Sequence, residues 1–229
     1  MEASPAAPAE RPAAALWDRL LSRERLLLLG GVYALELVIF FGAMVIPIDP
    51  ATKQLLQKTA DNLKNLTQGA TPGSLAGAIF ANNARIGLLE AIPGLGPLVF
   101  AFATTTTGQV LQVFAAAEGG PAVIYGALLF LFPYSVVELL GYAIAVEAGT
   151  MLVVAWRRKT LGEEARVFVV QVVGVVLVIL VAAVMETLTL VWPYGSLALW
   201  VPEVLVVLWV WRRIPRAGRP PSGAPPPSS

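Results

Sequence analysis

Long apolar stretches separated by brief polar interruptions fill almost the whole chain, and nearly every one carries a polar or ionisable residue that a lipid-facing helix would not keep. A helix of about 20 apolar residues crosses ~30 Å of hydrocarbon. Residues 26–48, 98–116 and 165–191 meet that length; 74–92 is more polar and 196–211 shorter, and both are read as further spans. A breaker, Pro93-Gly94-Leu95-Gly96-Pro97, ends the second. The stretch from 123 to 156 departs from this pattern. Residues 123–132 are apolar but would reach only about 15 Å as a helix, and Pro133 then removes a ladder hydrogen bond and clashes with the preceding turn. Residues 134–156 are long enough to cross by themselves. The pattern therefore predicts an all-α polytopic membrane helical bundle of about six transmembrane helices, with a broken or re-entrant helix around Pro133.

Composition supports the membrane reading and narrows the chemistry. Hydrophobic residues are 57% of the chain and charged residues 14%, against about 25% charged in soluble domains. Mean hydropathy is +0.72. Cys and His are both absent, which excludes disulfides, thiol nucleophiles, thiolate or imidazole metal sites and any His general base. No cofactor is expected, and a net charge of +1 gives no reason to expect nucleic acid. Residues 1–15 and 215–229 are Pro-rich and bury too little to order themselves, so both are expected to be disordered tails. One helical membrane domain, 16–214, lies between them.

Charge placement orients the chain. Arg11, Arg19, Arg23 and Arg25 precede the first span, Arg157, Arg158, Lys159 and Arg166 follow 134–156, and Arg212, Arg213, Arg216 and Arg219 follow the last. All three groups fall on one side only if 123–156 crosses once. By the positive-inside rule that side is the cytoplasm, which puts both termini inside a multi-pass plasma-membrane protein. Residues 49–73 are then outside. Leu55, Leu56, Ala60, Leu63 and Leu66 recur there at helical spacing, with Lys53, Lys58, Asp61 and Lys64 elsewhere on the wheel. This predicts an amphipathic helix, read as a cap on its own bundle ahead of a partner-docking surface.

Polar residues inside the spans are the candidate site. Asn82 and Arg85 share one helical face, and Asn83 and Glu90 another. A mid-bilayer charge costs at least ~2.5 kcal/mol, so Arg85 needs a partner, with Glu138 and Glu186 as candidates. An internal ion pair that sets bundle register is the ordinary reading of that pair; a substrate, ion or proton site is the other. Ser135, Glu138, Tyr142, Ala145 and Gly149 form one stripe, and Gly141, Ala145 and Gly149 a small-residue ladder for close helix approach. Thr104 to Gln109 is read as helix-packing glue. Glu138 lies one turn beyond Pro133, where freed carbonyls either build a cation site or resolve an ordinary kink. Glu36, Glu147 and Glu203 are embedded without a basic partner in their own helices.

These residues carry a resemblance. Ile79-Phe80-Ala81-Asn82-Asn83, Leu131-Phe132-Pro133-Tyr134-Ser135-Val136-Val137-Glu138-Leu139, Ala145-Val146-Glu147-Ala148-Gly149 and Ala182-Ala183-Val184-Met185-Glu186 with Pro193 are similar in order and spacing to the motifs of the stage II sporulation protein M family of integral membrane proteins. Tyr134 stands where that family usually has His, Thr107-Gly108 where Asn-Gly is common, and a sixth span follows the five expected. The resemblance implies a non-enzymatic membrane scaffold, since members in spore-formers support a cell-wall-remodelling complex. Partners would be the lipid bilayer and membrane or extracytoplasmic proteins. The alternative is a transporter or channel subunit using Asn82, Asn83, Arg85, Pro133, Tyr134, Glu138, Gly149 and Glu186. An intramembrane enzyme ranks last, because without His or Cys only carboxylate or Ser/Thr/Tyr chemistry remains, and no paired-carboxylate spacing stands out.

Overall fold

The computed structural model describes residues 12–67 and 69–213, which are helical apart from short connections. Helix α1 (Pro12–Leu20) begins inside the segment expected to be a tail; the rest of both Pro-rich tails lies outside the described residues. Helices α2 (Arg23–Ala43), α3 (Pro50–Thr67), α4 (Pro72–Glu90) and α5 (Gly96–Ala117) follow. Then come α6 (Ala122–Leu129), α7 (Pro133–Arg158), α8 (Leu161–Val191), the single turn α9 (Pro193–Ser196) and α10 (Trp200–Arg213). Among the described residues, five segments are long and apolar enough to cross a membrane: α2, α5, α7, α8 and residues 193–212. Helix α4, also expected as a span, is 19 residues long but is not among them; Asn82, Asn83, Arg85 and Glu90 make it the more polar helix. The chain is an all-α polytopic bundle.

Small residues set how closely the helices approach. A Cβ on Gly108 of α5 would stand 2.5 Å from the carbonyl oxygen of Phe40 in α2. Ile179 of α8 is fully buried and sits over two glycines: a Cβ on Gly87 of α4 would meet its Cδ1 at 2.6 Å, and one on Gly141 of α7 its Cγ1 at 3.1 Å. Around Ile179 pack Ala84, Ala91, Tyr142, Ala145 and Val175, which form the core where α4, α7 and α8 meet. At the C-terminal end of α2, Phe40, Phe41 and Phe130 form an aromatic group, with Met44 against Gly126 of α6.

The basic groups converge at one end. Arg19 pairs with Glu163 at 2.5 Å, Arg158 with Glu24 at 2.9 Å, and Arg25 with Glu164. The start of α2, the end of α7 and the start of α8 are therefore together, as a single crossing by α6 and α7 requires. Trp17 of α1 packs edge-on against Trp209 of α10 at 6.3 Å, which brings the end of α10 to the same place.

At the opposite end, α3 packs on α5. Leu56 is buried while Leu55 is 64% exposed. Asp49 caps α3, accepting from the backbone N–H groups of Ala51 and Thr52. Bonds from Thr52, its hydroxyl first, hold the Asp49 carboxyl below its ordinary pKa. From that end α4 runs inward and stops at Ala91, whose carbonyl lies over Gly149 of α7. Gly149 is nine residues before the end of α7, about 14 Å along a helix. The α4–α5 turn, with Gly94 at φ 80°, thus stays well short of the basic end and contains no charged residue.

Candidate functional site

The break before α7 is resolved locally. Phe132 is extended (φ −103°, ψ 129°) and Pro133 opens α7 at its first position, where a missing N–H costs nothing. The Ser135 hydroxyl donates to the carbonyl of Leu129 at 3.0 Å, and the Trp200 indole N–H donates to that of Leu131 at 2.8 Å. Two of the carbonyls a cation site could have used are therefore occupied by the chain's own side chains. Pro133 is buried and Tyr134 partly buried, its ring stacked on Phe132 at 6.4 Å.

One turn further on, Glu138 is the hub of the site. Its Oε1 accepts from Asn83 Nδ2 of α4 at 2.9 Å and from the Tyr142 hydroxyl at 2.8 Å. Asn82 Nδ2 in turn donates to Asn83 Oδ1 at 3.0 Å. Glu138 lies within electrostatic reach of Glu36 on α2, Glu90 on α4 and Glu186 on α8. Glu36 and Glu90 are each 1% exposed, and one oxygen of each has no hydrogen-bond partner among the described residues. Tyr142→Phe removes one of two donors to Glu138 and should lower stability by about 0.6–2 kcal/mol, read as a fall in thermal unfolding midpoint in detergent.

The two faces of α4 separate as their spacing implied. Asn83 and Glu90 point inward, whereas Asn82 and Arg85 are exposed. This corrects the expectation for Arg85. It meets neither Glu138 nor Glu186 and makes no ion pair among the described residues, because it stands on the side of α4 opposite Asn83 and Gly87. Asn82 is reached only through its bond to Asn83. Gly149 belongs to packing: a Cβ there would lie 2.7 Å from the Ala91 carbonyl oxygen.

A buried ion pair is found elsewhere. Arg25, 3% exposed, donates to Glu147 at 2.8 Å and Gln171 at 2.7 Å and also reaches Glu164, while Gln171 donates to Glu147. This network ties α2, α7 and α8 together. Sequence reasoning places Arg25 in a surface cluster. Its one available signal is the absence of any basic partner for Glu147 within α7.

Among known families, the model described as Stage II sporulation protein M matches residues 31–189. No curated protein and no solved structure shows significant similarity to the chain.

Proposed function

Because the chain belongs to the Stage II sporulation protein M family, we propose that it is a non-enzymatic component of a protein complex in the plasma membrane, with its basic end and both termini in the cytoplasm. The observation that carries this reading is the outward placement of Arg85. It stands six residues before the α4–α5 turn, about 9 Å further along the helix. At that depth an uncovered guanidinium costs several kcal/mol. Gly77, Ala78, Ala81 and Asn82 are exposed beside it, so another helix can approach closely and offer a carboxylate to Arg85. A twofold contact through α4 would set Arg85 against its own copy. The fitting partner is therefore a different membrane protein with an Asp or Glu at mid-depth.

Purification in mild detergent tests this. The wild-type chain should retain such a partner, and Arg85→Leu should weaken its capture at least about tenfold, or 1.4 kcal/mol, while eluting at an unchanged size by itself. Equal capture by both forms would refute the reading. A transporter or channel subunit is the second reading, favoured by the polar group around Glu138. It requires Glu138→Gln to abolish flux in proteoliposomes while partner capture persists.

A further inference from the structure

We propose that the carboxylates converging on Glu138 form a proton-binding site in the membrane core, one that loads and releases protons as pH changes. The proposal concerns the inward side of the bundle and does not rest on the docking reading of Arg85.

Four helices contribute: Glu36 from α2, Glu90 from α4, Glu138 from α7 and Glu186 from α8. The other titratable groups facing them are acids too. Tyr33 lies near Glu36 and Glu203, Tyr134 near Glu138 and Glu186, and Tyr142 near Glu36, Glu90 and Glu138. Helix α5 has no ionisable residue at all. Among the described residues the basic side chains are elsewhere: Arg85 is on the far side of α4, Arg25 is taken by Glu147 and Glu164, and Arg158 by Glu24.

Four negative charges without a counter-ion are not sustained in a low-dielectric core. Something positive must balance them. Protons neutralise such oxygens one at a time and need no shared ligand set, and among the described residues no three acidic side chains are grouped to hold a metal ion. The unpartnered oxygens of Glu36 and Glu90 are where such protons sit or where a neighbouring O–H is accepted. Neutral carboxyls also remove the penalty of a buried carboxylate oxygen with no donor. Groups this close exchange protons as a set, each ionisation opposing the next.

Infrared difference spectroscopy of the purified full chain in lipid, stepped between acid and alkaline pH, reads this directly. The C=O stretch of a protonated carboxyl in a dry environment should appear at acid pH, vanish at alkaline pH and shift in deuterated water. Combined Glu36→Gln and Glu90→Gln substitutions, which keep shape and remove charge, should cut that band by about half, two of four coupled groups being gone. Each single substitution should remove about a quarter, so the result stands even if the double variant does not fold. Glu118→Gln, exposed at the end of α5, should leave the band unchanged. A wild-type chain with no pH-dependent band, or a band of full size in the folded Gln variants, overturns the proposal.

Discussion

Arg25→Met should destabilise the bundle severely, by about 3–5 kcal/mol. The loss comes less from the ion pair itself than from what is left behind. Glu147 is 2% exposed, and without Arg25 it keeps only the amide of Gln171 as a donor. Glu164 loses its partner as well. Removing both ends separates these contributions. The double variant Arg25→Met with Glu147→Met leaves no stranded buried charge at that position, and apolar replacement of buried pairs is often neutral or stabilising. It should recover most of the lost stability. Thermal unfolding in detergent, followed by size-exclusion chromatography, measures all three proteins. A single variant as stable as wild type would show that the network contributes nothing. The exposed pair Arg158–Glu24 should be nearly silent in the same assay, because solvent screens it and long side chains lose entropy in forming it.

Gly149→Val should be the second large loss. A Cβ at Gly149 meets the Ala91 carbonyl oxygen at 2.7 Å and its carbon at 3.1 Å. Both are backbone atoms at the end of α4, so relief requires the α4–α5 turn to move off α7. Overpacking of this kind costs about 1–3 kcal/mol, and β-branching adds atoms at the same place. Gly174 provides the internal control. It is also mid-helix, yet nothing lies within 4 Å of a Cβ built there. Gly174→Ala should be neutral or gain up to about 1 kcal/mol from helix propensity. Equal thermal midpoints for the Gly149→Val and wild-type chains would show that the close approach is not required.

Much of this architecture is legible in the chain because membrane helices announce themselves locally. Hydropathy marks their lengths, Pro133 marks the break, and periodicity splits Asn83 and Glu90 from Asn82 and Arg85. Which of those two faces turns inward is not legible. Both carry polar groups, and the choice depends on Ile179 and Val175 of α8 packing over Gly87, a contact across nearly a hundred residues. The same limit hides the partner of Glu147. A basic residue at the mouth of a span reads as a topology signal, and only folding reveals that Arg25 is enclosed by α7 and α8. Glu36 and Glu90 are visible as embedded acids, but their convergence on Glu138 is a property of helix neighbours. The family motifs around Asn83 and Glu138 mark the hub and pass over its two most enclosed members.

The short, uncharged connection between α4 and α5 has a practical consequence. It has the form of a loop, but both of its helices enter and leave through the α3 end of the bundle. A reporter enzyme or glycosylation tag spliced into it would sit short of the basic end rather than beyond it, and counting it as an inner loop would leave the deduced sidedness of every other segment unchanged.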